Sequence, residues 1–322
     1  MGFFGRLAAA AVVSLSAVAV SAETPVLRAS VLEFGTVNWE LDTIGHYGLD
    51  ADHGFDLQVQ GVAGGSAAQV AFQGGEADVI VSDWLWVARQ RAAGKDYVFI
   101  PYSKAVGGVI VAGDSDIGSI TDLAGEKIGI AGGPLDKSWL ILQAYAAQQG
   151  LDLAGETEQV YGAPPLIFKT ALDGDIAGAI NYWHFMAKME AAGMRRLISV
   201  AEAAEALGLD PDTPLLGYVV KGELLEAQPD LVRGLADASR AAKDLLAEDD
   251  AAWDRLRPRM RVDNDTQFEA LKAGFREGIP EAGPVDEAAA ARMLELMVDL
   301  GGPELLGEAT TLPEGTFLQP AS

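Results

Sequence analysis

Apolar and polar positions recur along this chain in one order: a short apolar run, a glycine-bearing turn, then a segment with apolar residues every three or four positions. Val26 to Val31 alternates and predicts a first strand. The loop Glu33 to Trp39 follows, with Thr36 or Asn38 placed to cap a helix running toward Tyr47. A strand over Leu57 to Val62, the turn Ala63-Gly64-Gly65-Ser66 and a helix form the next unit. Val79 to Val81, with Ser82-Asp83-Trp84 opening a helix, form the third. Consecutive strand-turn-helix units specify a parallel sheet whose strand ends point to one crevice.

After strands at Val98 to Pro101 and Gly107 to Ala112, the alternation restarts at Ile120. Its centre is the stretch Lys127 to Gly150: a strand, the turn Ala131-Gly132-Gly133-Pro134 and a helix opening at Asp136-Lys137-Ser138-Trp139. Strands at Glu158 to Tyr161 and Ala177 to Ile180 follow, with a helix after Pro164-Pro165 between them. One sheet continued through all these units would be unusually long, so the restart predicts a second lobe. Leu215 to Val220 predicts one more strand. Beyond it the pattern is helical over Glu223 to Leu246, Ala251 to Leu256, Asp265 to Glu277 and Asp286 to Leu300.

The start of the chain is different in kind. Arg6 precedes an apolar run from Leu7 to Val20 and the small residues Ser21-Ala22, which predicts a secretory signal over residues 1–22, cleaved after Ala22. Of 23 basic and 47 acidic side chains the signal carries one Arg, so the remainder has 22 against 47, a net charge of −25. That excess repels nucleic acid and anionic membranes. The chain has no cysteine, which removes disulfides, thiolate metal sites, cysteine nucleophiles and a lipid-modified cysteine. A protein released unanchored into a periplasm is the simplest outcome. His46, His53 and His184 have no metal-ligand spacing, and no metal or cofactor is expected.

Several stretches together carry a resemblance: His53-Gly54-Phe55-Asp56-Leu57, Gly74-Gly75-Glu76-Ala77-Asp78, Thr121 to Gly129, Ala171 to Ala179 and Gln228-Pro229-Asp230-Leu231-Val232. In this order and spacing they resemble the periplasmic solute-binding proteins of the nitrate/sulfonate/taurine and thiamine-precursor type. The resemblance implies an α/β, two-lobed periplasmic binding protein fold (type 2), each lobe a mostly parallel sheet flanked by helices. It implies lobe 1 over 26–110, lobe 2 over 111–214, and a return to lobe 1 over 215–322, with crossings near Val111 to Gly113 and Thr213 to Gly217. It also implies a monomer that grips a small-molecule solute and delivers it to the membrane permease and ATPase of an ABC importer.

Strand-end positions nominate the solute contacts. Asn38, Trp39, Gly65, Ser66, Ser82, Asp83 and Trp84 come from the first lobe, and Gly133, Asp136, Ser138, Trp139, Tyr161, Asn181, Tyr182 and Trp183 from the second. Helix N-termini at Ser66 and Ser138 suit an anion. The acids Asp83 and Asp136 oppose one, because an unpaired carboxylate facing a bound anion is costly. The aromatic residues suit flat heterocycles or alkylammonium groups. The balance favours an aromatic or cationic nitrogen compound over a sulfonate or nitrate. Two alternatives stand beside these assignments: Trp86 and Trp139 can face inward as core, and Lys104 and Lys137 can pair with Asp83 or Asp136 instead of meeting solute.

An enzyme on a doubly wound fold is the rival reading. Gly61 to Ser66 and Gly129 to Pro134 both miss the dinucleotide G-x-G-x-x-G pattern, and neither a P-loop nor a G-x-S-x-G elbow occurs. Pyrimidine-synthesising enzymes of similar fold use a cysteine-rich segment that this chain lacks. A sensory or delivery protein with the same cleft is a further alternative.

Overall fold

The computed structural model describes residues 24–319, so the predicted signal segment lies outside the described residues. The first part of the chain forms β1 (Val26–Leu32), α1 (Val37–Tyr47), α2 (Leu49–Asp52), β2 (Asp56–Val62), α3 (Gly65–Gly74), β3 (Val79–Asp83), α4 (Trp84–Ala92) and β4 (Tyr97–Ser103). The middle forms β5 (Gly108–Val111), β6 (Lys127–Ala131), α5 (Lys137–Gln148), β7 (Glu158–Gly162), α6 (Pro164–Leu172), β8 (Gly178–Asn181), α7 (Trp183–Ala191), β9 (Arg195–Ser199) and α8 (Val200–Ala206). Then come β10 (Leu216–Lys221), α9 (Gly222–Ala227), α10 (Pro229–Glu248), α11 (Ala251–Met260), α12 (Asp265–Glu277) and α13 (Glu287–Leu306).

The strands make two five-stranded sheets, ordered β2-β1-β3-β10-β4 and β7-β6-β8-β5-β9. Four strands of each sheet run one way and the fourth in order runs against them: β10 is antiparallel to β3 and β4, and β5 to β8 and β9. The reversed strand is in each case the one that arrives from the other sheet. A chain crossing between lobes enters its new sheet at the crevice edge and must run away from it, opposite to strands that end there.

The boundary at residue 110 needs correction, because β5 belongs to the second sheet. The chain passes between sheets after Ser103 and before Gly108, and returns between Ala206 and Leu216. Close packing explains the glycines that open β5. A Cβ on Gly107 would lie 1.8 Å from the Asn181 carbonyl oxygen, and one on Gly108 2.4 Å from that of Ile198. The sequence pattern also passes over β9 and α8. The expected helix over Glu223 to Leu246 is two helices, α9 and α10, with Pro229 opening the second, where its missing N–H costs nothing.

Two large apolar cores hold the layers. One runs from α3 and α4 through α13 into α5 and α8, joining Trp84, Met293, Met297 and Trp139. α13 therefore packs on helices of both lobes. The other gathers α1, α10, α11 and α12 around Trp253. A buried polar group ties α1 to α10 within it. Glu40, with no exposed surface, accepts hydrogen bonds from the Tyr218 hydroxyl and the Ser239 hydroxyl at 2.7 Å each, and Lys243 Nζ lies 2.9 Å from its Oε2.

Candidate ligand-binding crevice

The carboxyl ends of β1, β2 and β3 in one sheet and of β6, β7 and β8 in the other supply the loops where the predicted contacts lie. Two of the helices that start at these ends are capped by an aspartate whose side chain accepts from free helical N–H groups. Asp83 Oδ1 accepts from Trp86 N at 2.8 Å and caps α4. Asp136 Oδ1 accepts from Ser138 N at 3.0 Å and Trp139 N at 3.2 Å and caps α5. Gly132, at φ +96°, makes the bend that brings Asp136 back over the end of β6, a conformation that favours glycine.

Asp83 and Lys137 join the two lobes. Lys137 Nζ donates to Asp83 Oδ2 at 2.9 Å, so this lysine meets one of the two acids that the sequence allows it. Burial pulls the ammonium's pKa down, but the Asp83 carboxylate outweighs it and the net shift is upward. For Asp136 burial pushes the carboxyl pKa up, the cap hydrogen bonds and Lys137 pull against it, and the charge on Asp83 adds to the rise. Lys104 pairs with Asp212 instead, linking the two crossings.

Tyr182 closes the same corner. A Cβ placed on Gly132 would lie 3.2 Å from Asp136 Oδ2 and 3.5 Å from the Tyr182 hydroxyl, so both oxygens converge over this glycine. Burial and the Asp136 charge push the Tyr182 hydroxyl up to about 12, which keeps it protonated and able to donate. Asp83, Gly132, Gly133, Asp136, Lys137 and Tyr182 thus form one polar corner drawn from both lobes. Ser138 belongs to it through its backbone N–H.

The aromatic wall is smaller than the sequence suggests. Trp84 and Trp139 are 0% and 1% exposed and sit in the core shared with α13, so neither faces the crevice. Trp39 is buried as well, 6.0 Å from Trp253 and 5.9 Å from Phe275. It also meets Trp183 edge to face at 6.0 Å, a second contact between lobes. Trp183, half-buried, is backed by α12, where a Cβ on Gly274 would come within 2.8 Å of its ring. Gly274 and Phe275 are participants that sequence reasoning missed, since about 90 residues of chain separate them from Trp183 and no local pattern links them.

The remaining candidates divide between bracing and exposure. Asn38 Nδ2 donates to the Leu32 and Gly35 carbonyls at 2.7 and 2.8 Å and holds the β1–α1 loop in shape. Asn181, buried, donates to Pro164 O at 3.0 Å and accepts from Tyr182 N at 2.8 Å, which sets the course of the chain into α7. Ser82 is buried within β3. Tyr161 is exposed on the edge strand β7. Gly65 and Ser66 open α3, which has no side-chain cap and whose Ser66 is exposed. Among the described residues no cluster of three or more His, Asp or Glu side chains is arranged to hold a metal ion, and no helix is long and apolar enough to cross a membrane.

Two α/β lobes with a crevice at their facing strand ends define a periplasmic-binding-protein fold. Residues 47–252, more than half of the chain, match the model of the NMT1/THI5-like family, and the chain belongs to that family. Among solved structures it is similar to the periplasmic aliphatic sulphonate binding protein SsuA from Escherichia coli, at 17% identity over 88% of this chain and 94% of that one, with a TM-score of 0.71. The alkanesulfonate-binding protein SsuA from Xanthomonas axonopodis pv. citri, solved bound to MOPS, gives 17% identity, coverage of 93% and 100%, and a TM-score of 0.71. The ligand binding component of an ABC-type import system from Staphylococcus aureus, solved with zinc bound, gives 12%, 92% and 97%, and 0.67. At these identities the likeness carries the fold alone. No curated protein matches the sequence.

Proposed function

We propose that this protein is the periplasmic solute-binding component of an ABC importer, closing its two lobes on a small nitrogen-containing cation. The observation that carries the ligand class is the corner at Gly132. Asp136 Oδ1 is committed to the α5 cap, and its Oδ2 has no protein donor among the described residues while converging with the Tyr182 hydroxyl. A partly buried carboxylate in that position is stabilised by a bound positive charge, and its neighbour Lys137 is already engaged by Asp83. The family, the two-lobed fold and the predicted signal support delivery to a permease.

A second reading rests on α3. Its N-terminus, at Gly65 and Ser66, has no side-chain cap, and free helical N–H groups favour an anionic group such as the sulfonate named for the Escherichia coli and Xanthomonas proteins. Thermal denaturation of the mature protein across a panel of amines, nitrogen heterocycles, sulfonates and nitrate separates the two. Binding to the folded state alone raises the midpoint, by about 2.7 kcal/mol of stability at 100-fold excess over Kd. The proposal expects the rise with a nitrogen cation. A rise with sulfonates or nitrate alone overturns the ligand class, and chemical turnover of a bound compound overturns the carrier reading.

A further inference from the structure

We infer that Lys137 sets how many positive charges the crevice accepts, limiting the solute to one. The inference rests on the cation-binding reading above and concerns a residue that would not itself touch the solute.

Three formally charged side chains make up the corner, and a fourth, Arg89 of α4, acts on Lys137 from outside it while donating to the Glu304 and Leu305 carbonyls of α13. Asp83 comes from the end of β3 in the first lobe, and Asp136 and Lys137 from the start of α5 in the second. Asp83 spends one oxygen on the α4 cap and the other on Lys137 Nζ at 2.9 Å. Both side chains of that pair are largely withdrawn from water, 15% and 25% exposed, so their mutual neutralisation is only partly screened by solvent. Asp136 spends one oxygen on its own cap and keeps Oδ2 free of protein donors. Among these three side chains the carboxylate charge left without a partner therefore lies on Asp136.

A single cationic group satisfies that charge. A second one would have to displace Lys137 from Asp83 and leave the displaced ammonium half-buried and unpaired, which opposes its entry. Lys137 thus acts as a resident counter-ion that selects monocations over dications by occupying the second carboxylate. The same pair crosses between lobes, so its strength also favours the closed arrangement.

Opposite substitutions test the idea. Lys137→Met raises the negative charge of the corner by one and frees Asp83 Oδ2. Asp83→Asn keeps the α4 cap but removes a charge, leaving Lys137 to neutralise Asp136. Calorimetric binding of butylamine and of 1,4-diaminobutane is measured for wild type and both variants, each first shown by circular dichroism to be folded. The expected result is that Lys137→Met raises the diamine-to-monoamine affinity ratio by about tenfold or more, and that Asp83→Asn weakens butylamine by a similar factor. Ratios and affinities unchanged from wild type in the folded variants overturn the inference. Should one variant fail to fold, the other carries the test alone, because the two predict different readouts. A wild type that binds sulfonates and no amine overturns this inference and the cationic class while leaving the carrier reading intact. A wild type that binds neither butylamine nor 1,4-diaminobutane overturns this inference, whereas the carrier reading falls only with chemical turnover of a bound compound.

Discussion

Trp39 of the first lobe and Trp183 of the second meet edge to face with ring centroids 6.0 Å apart, and Gly274 of α12 leaves room for the Trp183 ring on its other side. Edge-to-face pairs contribute about 0.5–1.5 kcal/mol beyond their buried area. This contact is made only while the lobes are close. Trp183→Ala therefore weakens solute affinity about 2- to 10-fold with little change in the fold. Gly274→Ala, whose Cβ would lie 2.8 Å from the ring, acts in the same direction by displacing Trp183. Equilibrium binding to the two variants checks both, and unchanged affinity in both contradicts a role in closure.

Trp84→Ala and Trp139→Ala behave differently, because both side chains lie in the core between α4, α5 and α13. Each is expected to cost about 3–5 kcal/mol of stability, the range for emptying a buried aromatic site. Urea denaturation reads this directly. Full stability with lost binding places them on the crevice instead.

Those two tryptophans show where the sequence stops being legible. The turns, the strand ends and the two-lobe restart are written in glycines and apolar runs, and so is the acidic start of α5. The direction of a side chain at a helix start is not. Trp84 and Trp139 occupy the first turns of α4 and α5, close after strand ends, yet α13, which begins roughly 200 residues beyond the first and 150 beyond the second, covers them. Sheet membership was equally hidden for β5, whose apolar residues suit either sheet. Only its pairing with β8 and β9, and the backbone pressed against Gly107 and Gly108, decide it. The exposed and half-buried faces of Arg195 to Ser199 likewise concealed β9.

Lys243→Met leaves the Glu40 carboxylate inside the protein without its ammonium partner, 2.9 Å away in the native state. Breaking a buried pair from one side costs about 3–5 kcal/mol. Adding Glu40→Gln removes the orphaned charge and recovers most of that loss. Denaturation midpoints of the single and double variants measure it, and additive losses contradict the coupling.

Acid stability reports on His184, packed 4.6 Å from the Phe185 ring at the start of α7. Burial first, and then the Lys188 charge, hold its imidazole down at about 4 from an ordinary 6.5. Between those values the unfolded chain takes up a proton that the folded protein refuses. The stability present above about pH 6.5 is therefore lost as pH falls toward 4, at the order of 1 kcal/mol per pH unit, and this loss levels off below 4. His184→Gln flattens the slope of denaturation midpoint against pH in that window. An unchanged slope contradicts the assignment.

Binding of the identified solute by wild type and by Asp136→Asn tests the central claim most directly. Asparagine keeps the oxygen that caps α5 and removes only the charge. The account predicts a nitrogen cation that binds wild type and loses about tenfold or more in affinity to Asp136→Asn, with the variant fully folded. Equal affinity for that cation in both proteins, or an anionic solute that binds the variant more tightly, would contradict it.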